Sequence, residues 1–369
     1  MLLGELSNLP GVSGNEEAVR EYIISRIKDH CDDYKVDKAG NIISVVKSSE
    51  NEAGNKIPGG AGNSAGSNTG DNAETLKIML AAHMDEVGFI ISGIDRNGNL
   101  KFMPVGGIDP KCLPGCRVLV GNNDIKGVIG IKAIHLQSEA EFKKTINIEN
   151  LRIDIGSDNK KQTEKLVSLG DYAVFDTVFE EFGDELYSGK AFDDRVGCSI
   201  LIELLRNIKR QPFDLYVCFT VKEEIGSIGA KILANEIKPD IAFIIEGTTC
   251  ADIPGIENHQ ASSFLNKGPV LVFMDASSIS DEKLNEFIEK TAKENQIPYQ
   301  YKNTITGGND AAAIQRGGLG ARTASLSVPC RYIHSPVSVI SKQDYDNTFY
   351  LLLNILENIK GSQYDQYRK

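Results

Sequence analysis

The chain has 369 residues, of which 41% are hydrophobic and 25% charged, and its formal net charge is −11. This length allows one or two domains with cores of their own, and the acidic balance argues against a nucleic-acid or anionic-membrane partner, which would favour a basic surface. The seven cysteines are widely spaced and odd in number, which is typical of free thiols in a reducing cytosol. The closest pair, Cys112 and Cys116, is a weak zinc signal without a second Cys/His pair.

A cytoplasmic location is predicted. The first residues, MLLGELSNLPGVSGNEEAVREYI, lack the basic region of a secretion signal. No apolar run reaches the ~20 residues that a membrane-spanning helix requires.

The first 48 residues predict two helical pieces followed by two strands. Ser13 is predicted to cap the second helix, with Glu16 three residues later completing a capping box. Residues 49–75 consist almost entirely of Gly, Ser, Asn, Ala and acidic residues, so they are predicted to be a flexible loop.

A change of pattern predicts an inserted domain. Asn97-Gly98 indicates a hairpin, and short strands with glycine-rich turns continue from there to about residue 183, with one helical stretch at 160–168. We therefore predict a β-rich domain at 93–182, inserted into a catalytic domain formed by 1–92 and 183–369. From residue 190 strands alternate with helices, which predicts an α/β fold with a mixed sheet covered by helices on both faces.

Five short stretches place polar side chains where chemistry is expected, because sites in open α/β sheets gather at the carboxyl ends of strands. In the first, His83 and Asp85 follow an apolar strand and point to the same side of the chain. Asp85 could accept the imidazole N–H and fix the tautomer of a metal-bound His83. Alone, the stretch is better explained as a surface loop with a stray histidine.

The remaining four stretches also have ordinary explanations when taken singly: a helix cap, an exposed strand end, a buried acid and a loop histidine. They are Asp193 and Asp194 before a helix, Glu223 and Glu224 after an apolar strand, Glu246 after the run Ile241–Ile245, and His334 before Pro336. Together the five give imidazoles and carboxylates, a donor mixture that suits zinc, cobalt or manganese.

These stretches, in this order, resemble the glutamyl aminopeptidase family of co-catalytic metallo-aminopeptidases, which includes the tetrahedral (TET) peptidases. The matching motifs are AHMDEVGF, GKAFDDRVGC, VKEEIGSIGA, IEGTTCADIPG, GGNDAAAIQRGG and SVPCRYIHSPVSVI, with NLPGVSGNEE and LRIDIGSDNK besides. The resemblance spans nearly the whole chain apart from 49–75. It implies a zinc-peptidase-like α/β catalytic domain with an inserted β-barrel-like oligomerisation domain, in dimers that assemble into dodecamers.

The resemblance also implies a role for each site residue in a peptidase with two divalent ions per subunit, zinc or cobalt, with manganese as an alternative. Asp193 would bridge the ions, a water between them would attack the peptide, and Glu223 would be the general base. The remaining roles are His83 and Glu246 as ligands of one ion, Glu224 and His334 as ligands of the other, and Asp85 as the residue that orients His83. Two positions depart from the family pattern: Glu246 stands where Asp is usual, and Asn309 where Thr is usual.

Rival functions remain open at this point. A deacylase of N-acyl amino acids would share the same metal cage, and a non-catalytic oligomeric binding protein would not need the intact Glu223. A glycosidase also uses paired carboxylates, but it would leave the histidines unexplained. Arg322 either lines a pocket for acidic substrate side chains or is a surface or interface residue.

Overall fold

The computed structural model describes residues 1–49 and 75–359. In these residues the chain forms two β-structures, a large mixed sheet and a small closed barrel. Within these residues the strands are β1 (Asp33–Val36), β2 (Ile42–Val46), β3 (Lys77–His83), β4 (Gly88–Ile94), β5 (Leu100–Val105), β6 (Arg117–Val120), β7 (Ile125–Gly130), β8 (Arg152–Asp154), β9 (Tyr172–Phe175), β10 (Glu180–Phe182), β11 (Leu186–Gly189), β12 (Asp214–Thr220), β13 (Ile241–Cys250), β14 (Val270–Leu271), β15 (Gln300–Tyr301), β16 (Arg322–Arg331) and β17 (Ser338–Ser341).

The larger structure is a mixed sheet with the order β1-β2-β12-β3-β13-β16-β17-β11-β10, and β14 and β15 pair beside β16. Its centre is parallel: β12 pairs with β3, β3 with β13, and β13 with β16. The strands that flank this centre are antiparallel. The carboxyl ends of four adjacent strands therefore meet at one edge, as the sequence predicts for an α/β fold.

Helices cover both faces of this sheet. They are α1 (Leu2–Asn8), α2 (Glu17–Ile27), α5 (Phe192–Asn207), α6 (Ile228–Ile237), α7 (Glu282–Glu294), α8 (Asp310–Gln315) and α9 (Lys342–Asn358). The short helices α3 (Glu139–Phe142) and α4 (Lys160–Thr163) and the 3₁₀ turns at Pro110–Cys112, Ile134–Leu136 and Ile148–Asn150 lie instead between β5 and β9. Alternate residues of β3 serve the two faces: Leu80 packs in the core with α1, α2 and α5, and Met79 in the core with α6 and α8. Among the described helices, none combines the length and apolar character needed to cross a membrane.

The second structure is a closed antiparallel barrel with the order β4-β5-β8-β7-β6-β9. The predicted Asn97-Gly98 turn joins its first two strands, and Gly98 takes the positive φ of 92° that this turn requires. Phe89 lies at the centre of its core, with edge contacts to Phe102 and Phe175 at centroid distances of 5.0 and 5.3 Å. The mixed sheet and the barrel confirm the predicted fold class.

The limits of the barrel differ from the predicted insertion at 93–182. Its strands run from Gly88 to Phe175, so β4 begins inside the segment assigned to the catalytic domain. At the other end, β10 (Glu180–Phe182) pairs with β11 in the large sheet. The chain passes from β3 into β4 through four residues, so the compositional change becomes visible only after the barrel has begun. Residues 50–74 of the predicted flexible loop lie outside the described residues.

The predicted capping box at Ser13 and Glu16 is wrong. Helix α2 begins at Glu17, and no side chain caps its first turn. The Ser13 hydroxyl instead donates to a carboxylate oxygen of Asp85 at 2.6 Å, and Glu16 accepts from the Gly14 amide at 2.7 Å. Ser13 therefore contacts a residue distant in the chain, Asp85, and does not cap the helix that follows it. The local sequence does not show which of these two partners a serine will take.

Replacing Phe89 with alanine tests the packing of the barrel. Loss of the ring from a core with two aromatic neighbours should lower the free energy of unfolding by about 3–5 kcal/mol, measured by chemical denaturation followed by circular dichroism. Met103→Ala is the control, because Met103 lies on β5 with 54% of its surface exposed, and we expect a change within about 0.5 kcal/mol. Equal losses in the two variants would contradict this packing.

Candidate metal centre

Strands of the parallel centre deliver side chains to one edge of the sheet. His83 is the last residue of β3 and is level with Thr220, the last residue of β12. Glu223 and Glu224 follow in the turn after β12, and Glu246 lies within β13. The start of α5 adds Asp193, and the connection from β16 to β17 adds His334. The structure thus brings together all the acids and histidines that the sequence placed at this edge.

Asp193 lies at the centre of the cluster. Its Oδ1 is 3.1 Å from His83 Nε2, and its Oδ2 is 3.1 Å from His334 Nε2. On the outer sides, Glu246 Oε1 is 3.1 Å from His83 Nε2, and Glu224 Oε1 is 3.3 Å from His334 Nε2. One carboxylate is therefore shared by two groups of donors.

The two donor groups fit a pair of divalent cations. Each group offers one imidazole nitrogen and two carboxylate oxygens, all within 4.8 Å of one another: His83, Asp193 and Glu246 in the first, and Asp193, Glu224 and His334 in the second. Glu224 Oε1 is buried and accepts no well-formed hydrogen bond, and its one close contact in the cluster is the His334 ring at 3.3 Å, which is itself a candidate ligand. Imidazole and carboxylate are the donors expected for zinc, cobalt or manganese.

Backbone carbonyls fix the tautomers of both histidines. His83 Nδ1 lies 3.0 Å from the carbonyl oxygen of Asp85, and His334 Nδ1 lies 2.9 Å from that of Gly107. A carbonyl only accepts, so in the neutral ring Nδ1 must carry the proton and Nε2 keeps its lone pair for a ligand. Gly107 follows β5, so the barrel also contributes to the site.

The predicted role of the Asp85 carboxylate needs correction. Its Oδ1 lies 3.6 Å from His83 Nδ1, too far for a good hydrogen bond, and the backbone oxygen of Asp85 takes that place. The carboxylate instead accepts from the amides of Glu223 at 3.0 Å and Glu224 at 3.1 Å. Asp85 therefore orients His83 through its backbone oxygen and the Glu223–Glu224 turn through its carboxylate.

Electrostatics favour protonated histidines when only protein charges are present. Burial opposes charging of His334, but the negative carboxylates of Asp193 and Glu224 beside its ring raise its pKa to about 11. Burial likewise disfavours charged His83, yet the charge of Glu246 and the hydrogen bond to Asp193 raise its pKa well above the usual value. The acids thus draw positive charge into the cluster, and a cation that binds there must displace protons.

Glu223 stands apart from the donor groups. Its Oε2 is 4.0 Å from His83 Nε2, and its Oε1 accepts a hydrogen bond from Ser227 at 3.3 Å. Burial, reinforced by the nearby acids Asp310 and Glu224, raises its pKa to about 8. A carboxylate that faces the cluster without belonging to a donor group is suited to proton transfer.

A buried ionic group, to which the sequence pattern assigned no role, lies beside the site. Lys190 Nζ donates to both oxygens of Glu86 at 2.6 and 2.8 Å, and Arg195 contacts Glu86 at 3.4 Å. All three side chains are buried, and they flank Asp85 and Asp193 in the chain. Asp194 is also buried and accepts from the amides of His83 and Gly197. The charged residues of GKAFDDRVG are the feature of the sequence that could have indicated this group, because charges that become buried require partners.

Arg322 does not lie at the metal centre. It begins β16, level with Ile241, whereas Glu246 is level with Ser327 further along the same strand. Its guanidinium pairs with Asp281 at 2.9 Å. The observed position favours the surface interpretation over a pocket for acidic substrates.

The departure at Asn309 is accommodated by a helix cap. Its side-chain oxygen accepts from the Ala311 amide at the start of α8, and its side-chain nitrogen donates to Ser325 at 3.2 Å. A threonine, which the resemblance leads one to expect here, could also cap this helix.

The fold and the cluster define a peptide hydrolase with candidate metal ligands at the carboxyl edge of a mixed sheet. The chain matches the M42 glutamyl aminopeptidase family over residues 62–351, and it belongs to that family. A lysyl aminopeptidase from Pyrococcus furiosus is 30% identical over 365 residues, which cover 97% of each chain.

Solved structures of similar proteins share this fold. An aminopeptidase from the archaeon Desulfurococcus kamchatkensis is 32% identical with a TM-score of 0.89, covering 100% of this chain and 97% of that one. The TET1 peptidase of Pyrococcus horikoshii is 34% identical with a TM-score of 0.80, covering 96% and 98% respectively. That peptidase can assemble into a tetrahedron or a large octahedral shell. The resemblance to the glutamyl aminopeptidase and TET peptidases is confirmed.

Metal affinity should rise with pH. The pKa of about 11 for His334 means that this ring is protonated at neutral pH in the metal-free protein, so a cation competes with the proton. Between pH 6 and 8, the apparent affinity for Zn²⁺ or Co²⁺ should increase about tenfold per pH unit for each proton displaced, as measured by titration with a competing chelator. The control is His259→Ala, which removes an exposed histidine and should leave the change of metal affinity with pH unaltered. An affinity independent of pH would contradict the assignment.

Proposed function

We propose that this chain is an aminopeptidase that binds two divalent ions, zinc or cobalt, with manganese as an alternative. The observation that carries the proposal is the pair of donor groups that share Asp193. His83 and Glu246 would complete the protein ligands of one ion, and Glu224 and His334 those of the other. Two ions held by these residues would polarise a peptide carbonyl and lower the pKa of a water molecule.

The chain's own residues supply the proton transfer. Because Ser227 occupies Glu223 Oε1, Oε2 is the atom free to accept a proton from the attacking water and return it to the leaving amine. Its pKa of about 8, set chiefly by burial, should fall once cations bind nearby. Asp193 would serve both ions only as a carboxylate, and its pKa is held far below the usual range because hydrogen bonds from His334 and His83 outweigh the effect of burial.

The barrel is proposed to serve in assembly of dimers into dodecamers. The connection from β7 to β8 exposes several large apolar side chains: Ile134, Leu136 and Phe142. The shells formed by the Pyrococcus horikoshii TET1 peptidase support a homo-oligomer for this chain as well. Native mass spectrometry tests this, and a monomer at micromolar concentration would contradict it. A cytoplasmic location stays a prediction.

A substrate panel separates the rival reactions. Metal-free protein is reconstituted with Zn²⁺, Co²⁺ or Mn²⁺ and assayed with aminoacyl-p-nitroanilides, N-acetyl amino acids and a soluble glucan. The anilides include acidic and basic residues, because the family is described as glutamyl and one relative as lysyl. We expect hydrolysis of aminoacyl anilides alone. Exclusive hydrolysis of N-acetyl amino acids would establish the deacylase instead.

Replacing Glu223 with glutamine should separate chemistry from metal binding. The amide cannot take the proton, so kcat should fall about 10²–10⁴-fold, while bound metal measured by elemental analysis stays at the wild-type level. Glu224→Gln is the matched change at the adjacent residue, and it should lower metal content as well as rate. Wild-type activity in Glu223→Gln would rule out the assigned general base.

A further inference from the structure

The turn that carries Glu223 and Glu224 is held through its backbone. Three successive amides each donate to a carboxylate: Lys222 to Glu16 Oε1 at 3.2 Å, Glu223 to Asp85 Oδ1 at 3.0 Å, and Glu224 to Asp85 Oδ2 at 3.1 Å. Lys222 has a φ of 58°, a left-handed conformation that a lysine adopts only at a cost. The turn therefore depends on these carboxylates to keep its shape.

Both carboxylates are positioned by the loop before α2. Ser13 donates to Asp85 Oδ2 at 2.6 Å, and Glu16 Oε1 also accepts from the Gly14 amide at 2.7 Å. The side chains of Ser13, Glu16 and Asp85 are all buried, which strengthens such charge-assisted hydrogen bonds.

The same loop is fixed against the chain beyond β3. Val12 forms a parallel bridge with Glu86, and the Glu86 amide donates to the Gly11 carbonyl at 2.9 Å. The Gly11 amide in turn donates to the Glu86 carboxylate at 3.0 Å. The loop cannot shift without disturbing the segment that carries Asp85.

We propose that Ser13 and Glu16 are positioning residues that set the geometry of the Glu223–Glu224 turn. Neither belongs to the two donor groups, so both act through Asp85 and the backbone of the turn. The consequence for rate rests on the proposed aminopeptidase function: a turn that moves would misplace the proton acceptor Glu223, and small displacements at a reacting centre cost large factors in rate.

Hydrogen exchange tests the positioning without any assay of activity. In Ser13→Ala and Glu16→Ala, amide exchange at Lys222, Glu223 and Glu224 should accelerate about tenfold, measured by mass spectrometry with residue-resolved fragmentation. Ser44→Ala is the matched control: the Ser44 hydroxyl is also buried and donates to Val217 on β12 at 2.8 Å, away from the turn. Unchanged exchange in both variants, or equal acceleration in Ser44→Ala, would overturn the proposal.

Kinetics provide the second readout. Ser13→Ala should lower kcat about tenfold with KM within twofold, and Ser13→Thr, which keeps a hydroxyl, should restore it. Unaltered kcat in a folded Ser13→Ala protein would overturn the effect on rate. If Ser13→Ala does not fold, Glu16→Ala decides, and unaltered exchange at Lys222 would count against the proposal. The two proposals can fail separately. If the variants exchange faster but the wild-type protein cleaves no aminoacyl substrate, the proposed function is refuted and the positioning role of Ser13 and Glu16 still holds.

Discussion

The carboxylate of Asp193 faces a different histidine with each oxygen, and the site depends on this division. Asp193 contacts His83 and His334 at 3.1 Å each. Both contacts require the start of α5 to lie close to the end of β3 and also to the loop that carries His334. Glu224 and Glu246 then face the outer sides of the two histidines. So many buried acids would repel one another without positive charge, which protons supply in the metal-free protein and divalent ions would supply in the active one.

The inserted barrel contributes to this arrangement. The carbonyl of Gly107, two residues beyond β5, accepts from His334 Nδ1, so the orientation of one candidate ligand depends on a segment outside the large sheet. The loop before α2 also reaches the site, at Asp85 and at the turn of Glu223 and Glu224. The second layer around the site therefore comes from segments far apart in the chain, and its contacts are largely with backbone amides and carbonyls.

The sequence pattern predicted the α/β fold and a β-rich insertion, and the family resemblance implied that the insertion is barrel-like. The candidate site residues could be placed at strand ends because strand ends and ligand types are local features. The sequence pattern failed where a tertiary partner replaced a local one. Ser13 had the spacing of a helix cap, but the Asp85 carboxylate took its hydroxyl. Asp85 was predicted to accept from His83, but its backbone oxygen does so, because the carboxylate is occupied by two amides. Such competition depends on distances that no spacing in the sequence encodes.

Metal stoichiometry tests the sharing of Asp193 most directly. Purified protein is saturated with Co²⁺, dialysed and analysed for bound metal per chain. Two ions are expected in the wild type and in Asp281→Asn, which alters the pair with Arg322 away from the centre. Asp193→Asn should lose tight binding of both ions, because both donor groups lose the same charge. A single ion in the wild type, or two retained in Asp193→Asn, would contradict a shared carboxylate.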